Sequence, residues 1–434
     1  MHKNIFVPGL TPSISRSCGP SVTQTSTSSM TCSTTSRSSR TPASTSTRCS
    51  ERARRELDDF DGSIDAIVSQ WDFPTSLLGP LLAAERGLPA PSLRSLLMCE
   101  HKYWSRLEQR RAVPGVVPGF AAFDPFADDV AAQIDLDFPY WVKPIKAHSS
   151  NPGFRIDGPE DLEEAVRQFR AEITDVGDAF DPGPRAGRRP RRGGRRGWGS
   201  TCPAEAIIEG IQFAPEGSVS GGEFSVHGTV DMHKDESGLS IERPDYPART
   251  VPQHVQEQAI ATTETLLHHI GFDDGCFNAE YMWDEQREVL RLIEVNTRIS
   301  QSHSVLFALV DGRSNHRVAV DVALGRRPSM PEDRGDLDVA ARYRITHDDD
   351  AVVRSVPDAG DIEGVEQRWP GTRIALKVEP GDRLSRLLHR DSYRYLLADV
   401  YVGAPDVDAL AERIEDIERR LPFDLEPVDD ERSA

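Results

Sequence analysis

Glu280, Glu294, Asn296 and Arg298 bring two carboxylates, an amide and a guanidinium into one short stretch of the chain, Gly275–Ser304. Two acids and an amide oxygen turned toward one spot suit Mg²⁺, a hard cation that takes oxygen ligands and keeps waters which phosphates can replace. Arg298 adds a planar positive fork, the group best matched to an anionic transition state. The plain alternative is a half-exposed hairpin with solvated acids. An apolar strand, however, gains nothing from ending in Glu, Asn and Arg.

These side chains need two strands to hold them. Phe277, Ala279, Tyr281 and Trp283 alternate with Asn278, Glu280 and Met282, the period of a pleated strand. Asp284–Arg287 reads as a polar turn and Val289–Val295 as a second strand. Leu290, Leu292, Glu294, Asn296 and Arg298 share one parity, so simple alternation predicts a face that begins with leucines and ends with the polar groups. With an odd number of residues in the loop, Glu280 lies opposite Leu292 and one diagonal step, roughly 7–8 Å, from Glu294.

Glu280, followed after a turn by Leu292-Ile293-Glu294-Val295-Asn296-Thr297-Arg298, resembles the metal-binding signature of ATP-grasp enzymes. The wording Asn-Thr-Arg-Ile is similar to the biotin carboxylase and carbamoyl-phosphate branches. The resemblance implies that Glu280, Glu294 and Asn296 hold Mg²⁺ (or Mn²⁺) on the phosphates of ATP and that Arg298 supports an acyl-phosphate step. It covers roughly Ser63 to Arg326.

The same resemblance extends to other positions. Lys102, on a helix read over Ser92–Arg110, matches a phosphate-reaching lysine, and Lys143, at the end of the strand Phe138–Pro144, matches the lysine on the α-phosphate and adenine side. Ser149, Ser150 and Gly153 supply the small residues of a loop whose backbone N–H groups can approach phosphate oxygens. In Ala204–Phe213, Glu205 matches the first hinge acid and Ile208 the residue whose backbone meets the base. Gln212 stands where the family often has a ribose-binding carboxylate. His303, in the polar loop after Arg298, is a candidate base against the plainer reading of a structural histidine.

Length and composition frame this reading. A chain of 434 residues suggests two or three domains. The resemblance implies an α/β and α+β architecture: an ATP-grasp fold over 99–326, an N-terminal pre-ATP-grasp α/β domain over 1–98, and a small C-terminal α+β lobe over 327–434. Net charge is −19, and only six of the 51 basic residues are lysine. That pattern looks halophilic, because high salt screens the self-repulsion of an acidic surface. It argues against broad nucleic-acid binding. No apolar run approaches a bilayer span, and Met1–Leu10 has no signal-peptide pattern, so a cytoplasmic protein is expected. The six cysteines show neither zinc nor disulfide spacing.

Two tracts break the pattern. Thr11–Ser50 is more than half Ser and Thr with no acid, and Pro182–Gly199 carries seven arginines and no acid. In a GC-rich gene, aspartate codons read one register off give threonine and two off give arginine. Our hypothesis is that both tracts are translated out of frame, a natural linker and a nucleic-acid-binding loop being the alternatives. Peptide mass spectrometry that confirms a single intact frame would refute it.

The implied reaction is ATP-dependent activation of a carboxylate as an acyl phosphate, attacked by an amine or similar nucleophile. Family members are often dimers, so a homodimer is among the expectations. The alternatives are a bicarbonate-activating carboxylase or carbamoyl-phosphate-type domain, and an inactive ATP-binding relative.

Overall fold

The computed structural model describes residues 3–8, 29–30, 42–72, 75–143, 153–176, 201–236, 238, 240–330, 335, 337–387 and 394–428. A first small sheet comprises β1 (Ile5–Pro8), β2 (Ser29–Met30) and β3 (Ala66–Ile67), all parallel, in the order β2-β1-β3. Against it lie α1 (Pro42–Asp58) and α2 (Thr75–Ala84), and Phe6, Leu57, Ile67 and Leu82 are buried together. The helix α1 thus begins at Pro42, inside the Ser/Thr-rich tract. Proline there sits in the first turn, where its missing N–H costs nothing.

The helix expected over Ser92–Arg110 is two: α3 (Leu93–Glu100) and α4 (Lys102–Ala112). His101 divides them with φ −84° and ψ 102°, and its Nδ1 accepts from the Trp104 backbone N–H as the cap of α4. Lys102 is therefore the first residue of a helix rather than a mid-helix side chain.

A second sheet is formed by β4 (Phe120–Phe123), β5 (Tyr140–Val142), β6 (Phe154–Ile156) and β7 (Cys202–Ala206), in the order β4-β7-β5-β6. The helix α5 (Pro159–Val176) packs Leu162, Val166 and Phe169 onto Tyr140, Val142 and Ile156.

The largest sheet has eight strands. In chain order they begin with β8 (Ile211–Ser220), β9 (Glu223–Lys234), β10 (Ile241–Tyr246), β11 (Gly275–Asp284), β12 (Val289–Asn296) and β13 (Val339–His347). A separate pair, β14 (Ala351–Ser355) with β17 (Asp424–Pro427), brackets the last two members, β15 (Arg373–Leu376) and β16 (Tyr395–Ala404). The strand order is β12-β11-β8-β9-β10-β13-β16-β15, so strands after residue 327 continue the sheet that carries the hairpin. One face of its hairpin end is apolar. Phe213, Phe277, Tyr281, Trp283, Leu290, Leu292 and Val295 pack there with Val255, Ala259 and Leu267 of α6 (Gln253–Ile270). Gly271, at φ +66°, ends that helix in the left-handed conformation that glycine adopts without a Cβ penalty. Further along the sheet α7 (Ser304–Val310) covers Val230 and Tyr246, and α8 (His316–Ala323) joins Cys276 and Ile299. Near the C-terminus α9 (Ala359–Arg368) and α10 (Val407–Arg420) close the core of β13 and β16.

Candidate nucleotide and metal site

The hairpin register differs from simple alternation. Tyr281 pairs with Leu292, but Glu280 pairs with Glu294, because Ile293 is an extra residue in β12. Such a bulge reverses the parity of everything beyond it. Leu290 and Leu292 therefore join Val295 in the apolar core, while Glu294 and Asn296 turn to the opposite face. The expectation of a leucine face that ends in polar groups is overturned, as is the diagonal offset. Glu280 faces Glu294 directly, and two residues along the same pair of strands Asn278 faces Asn296.

Glu280 is gripped on both oxygens. Asn296 Nδ2 donates to Oε1 at 2.9 Å and Gln212 Nε2 to Oε2 at 3.0 Å. The place expected for a ribose-binding acid thus serves the carboxylate pair instead. Burial, and then the charge of Glu294, push the Glu280 carboxyl up to about 7, against the pull of Arg298, Asn296 and Lys102. Glu294 accepts from Lys102 Nζ at 2.8 Å. The Lys102 ammonium is held above its ordinary range because Glu294 outweighs the cost of burial. Its position at the start of α4 also sets Glu294 near a helix N-terminus, where an anion is favoured.

Beneath these lies a pair that sequence reading missed in part. Arg106, one helical turn after Lys102, is buried and grips both oxygens of Glu205, Nε at 2.7 Å and Nη2 at 3.1 Å. Its Nη1 donates to the Leu292 carbonyl at 2.7 Å, tying the helix to the hairpin. Lys143 Nζ adds a third bond to Glu205 at 2.9 Å. Burial alone would raise the Glu205 carboxyl, but the Lys143 and Arg106 charges and hydrogen bonds hold it well below the usual carboxylate range. The i to i+4 spacing of Lys102 and Arg106 was the available signal. Lys102, Arg106, Lys143, Glu205, Glu294 and Asn296 line one cleft.

Gly153 lies against Lys143. A Cβ there would come within 2.9 Å of Lys143 Cγ and 3.0 Å of the Val142 carbonyl. Ser149 and Ser150, like the arginine tract 182–199, lie outside the described residues. Ile208 is half-buried in the connection from β7 to β8. That connection ends at Gly210, whose φ of +124° and approach to the Trp283 carbonyl, 2.1 Å for an added Cβ, admit no side chain.

Two further residues share the acid face. Met232 pairs with Gln212, so Lys234, two residues on, takes the same side of the sheet. Burial lowers the Lys234 ammonium against the opposing charges of Asp235 and Glu280. Glu216, four residues after Gln212, is fully buried beneath the loop that follows Arg298. It accepts from His227 Nε2 at 3.0 Å, Asn315 Nδ2 at 2.6 Å, the Ser300 N–H at 2.9 Å and His303 Nδ1 at 3.1 Å. Burial would raise its carboxyl, yet the hydrogen bonds from His227 and His303 hold it well below the usual range. His303 is 1% exposed, so it belongs to this anchor and not to the open cleft. Arg298, whose charge also acts on Glu280, donates from Nε to Asp72.

The donor set fits Mg²⁺ shared with phosphates. Among the described residues no three acids, histidines or cysteines form a metal cluster, so those residues offer no closed cage. They offer two facing carboxylates and an amide, and burial together with the facing charge of Glu294 raises the Glu280 carboxyl, a cost that a divalent cation offsets.

Residues 232–327 match the family described as carbamoyl-phosphate synthase L chain, ATP binding domain. No curated protein matches the chain. Solved structures resemble it at low identity. An L-amino acid ligase from Bacillus licheniformis is 18% identical with a TM-score of 0.69, over 87% of this chain and 85% of that one. The biotin carboxylase domain dimer of Hydrogenobacter thermophilus 2-oxoglutarate carboxylase, solved with MgADP and bicarbonate, is 15% identical with a TM-score of 0.66, over 98% and 92%. N5-carboxyaminoimidazole ribonucleotide synthetase from Thermotoga maritima is 14% identical with a TM-score of 0.58, over 86% and 85%. These likenesses give the chain the ATP-grasp fold, and within it residues 232–327 match the ATP-binding domain model.

Proposed function

We propose that this chain uses ATP to activate a carboxylate as an acyl phosphate, which an amine then attacks to form a C–N bond. The facing of Glu280 and Glu294 across the hairpin, with Asn296 beside them and lysines around the cleft, carries this reading. Glu280, Glu294 and Asn296 would hold Mg²⁺, which supplies charge neutralisation on the phosphates. Lys102 and Lys143 steady the phosphates, Lys234 adds a third cation on the same face, and Gly153 lets Lys143 sit close. The hinge at Glu205 and Ile208 borders the adenine side. Arg298 neutralises the acyl phosphate as the γ-phosphoryl group leaves ADP for the carboxylate oxygen. The amine nitrogen then bonds to the acyl carbon, phosphate departs and the amine gives up a proton. The residues thus act by positioning and charge, which this chemistry chiefly requires.

The likenesses to an L-amino acid ligase and to a carboxyaminoimidazole ribonucleotide synthetase support the ligase reading. The biotin carboxylase likeness and the 232–327 match favour a second reading, activation of bicarbonate. That domain is a dimer, and a homodimer is proposed here by the same likeness. Among the described residues no helix is long and apolar enough to cross a membrane.

ADP release from Mg-ATP, screened against amino acids, simple carboxylic acids and bicarbonate, tests the proposal. ADP release that depends on an organic acid supports it. Dependence on bicarbonate alone favours the second reading, and the absence of any acid-dependent release refutes both.

A further inference from the structure

Two segments far apart in sequence close on each other where the first sheet meets the end of the hairpin. Gln70–Asp72 follows β3, at the carboxyl end of a parallel strand, the place where open α/β sheets form ligand crevices. Arg298 Nε donates to Asp72 Oδ1 at 2.7 Å, and Gln301 Nε2 donates to the Gln70 carbonyl at 2.7 Å. The Asp72 side chain is 54% exposed and that of Arg298 16%, so the acid is the outer partner of the pair. Trp71 beside it is exposed, as few large apolar side chains are among the described residues. Gln70 is buried, yet its Oε1 accepts no hydrogen bond among the described residues.

Asp72 competes with any anion for Arg298. A plain carboxylate that takes the Nε edge of the guanidinium must displace Asp72 and leave that acid facing a second negative charge. A molecule that carries its own ammonium beside its carboxylate replaces both partners at once. Its carboxylate takes the Arg298 fork, and its ammonium takes Asp72, with the Trp71 ring as a face on which a cation is stable. We propose that Gln70–Asp72 and Arg298 form a subsite for a zwitterion, so that the activated carboxylate belongs to an α-amino acid. This rests on the ligase reading for the role of Arg298, and adds the substrate class and the residue that selects it. Bicarbonate, an anion with no cationic group, is disfavoured by the same acid.

The test is calorimetric titration of the full chain, with Mg-ADP present, by each of the twenty common L-amino acids. The tightest binder is then compared with its des-amino acid and its amide. The expected result is a loss of about tenfold or more when either charge is removed, the worth of one hydrogen bond to a charged group. Asp72→Asn should erase the preference for the amino acid over the des-amino acid, by weakening the former and tightening the latter. Equal binding of the des-amino acid or the amide, no binding by any of the twenty, or a preference untouched by Asp72→Asn would each overturn the proposal. ADP release separates its failure from that of the ligase reading. Release driven as well by des-amino acids removes only the zwitterion subsite. A binding preference without any acid-dependent release removes only the ligase reading.

Discussion

Replacing Arg106 by leucine takes away the cation that holds Glu205 from two sides. The side chains of the pair are 2% and 4% exposed, so water cannot reach the carboxylate that remains. Removing one partner of a buried ion pair typically costs about 3 to 5 kcal/mol, most of it the cost of an uncompensated charge. Lys143 still donates to Glu205 at 2.9 Å, which places the expected loss near the lower end, at about 3 kcal/mol. The Leu292 carbonyl also loses its donor, loosening α4 from the hairpin. Urea unfolding followed by tryptophan fluorescence reads the loss as a lowered midpoint at unchanged slope. The double variant Arg106→Leu with Glu205→Leu should recover most of it, because two apolar groups leave no charge stranded. A single variant within about 1 kcal/mol of the parent, the range of exposed pairs, would refute the reasoning.

Three further outcomes follow from the geometry. Burial lowers the His316 imidazole to about 4 against the charge of Glu216, so between about pH 6.5 and 4 the unfolded chain takes up a proton that the folded chain refuses. Stability should fall as pH drops through that window, and His316→Gln should flatten the slope; an identical slope in the variant contradicts it. Glu205 and Glu216, both held below the ordinary range, add stability that is present above about pH 4.3 and lost as pH falls further. Gly153→Ala places a methyl group against Lys143 Cγ and the Val142 carbonyl, and should weaken binding of a non-hydrolysable ATP analogue by about tenfold, one charge-assisted hydrogen bond. Unchanged affinity would remove Lys143 from the account.

The residue types of the site were legible because Glu, Asn and Arg at the end of an apolar strand are costly without a purpose. Their register was not. Ile293 is apolar and fits either parity, so nothing local marks it as the bulge that sends Glu294 away from Leu292. The break at His101 has no glycine or proline to announce it; it is held by a side-chain cap. Arg106 was passed over because its partner, Glu205, lies 99 residues away and meets it only in the folded chain. The segment 327–434 was readable as a small α+β lobe, but not the union of its strands with the hairpin sheet. That union depends on β10 pairing with β13 across about a hundred residues of sequence. His303 was read as a candidate base, and only the position of Glu216, on another strand, turns it inward.

The most direct measurement is the Mg²⁺ dependence of nucleotide binding in the parent and in Glu294→Gln, by calorimetry at pH 7 in buffers of different ionisation enthalpy. The parent should bind nucleotide more tightly with Mg²⁺ and release a fraction of a proton as the cation displaces it from Glu280. Glu294→Gln should lose both the Mg²⁺ gain and the proton release while keeping its fold. A variant that retains the full Mg²⁺ gain would contradict the pairing of Glu280 and Glu294 as the cation site.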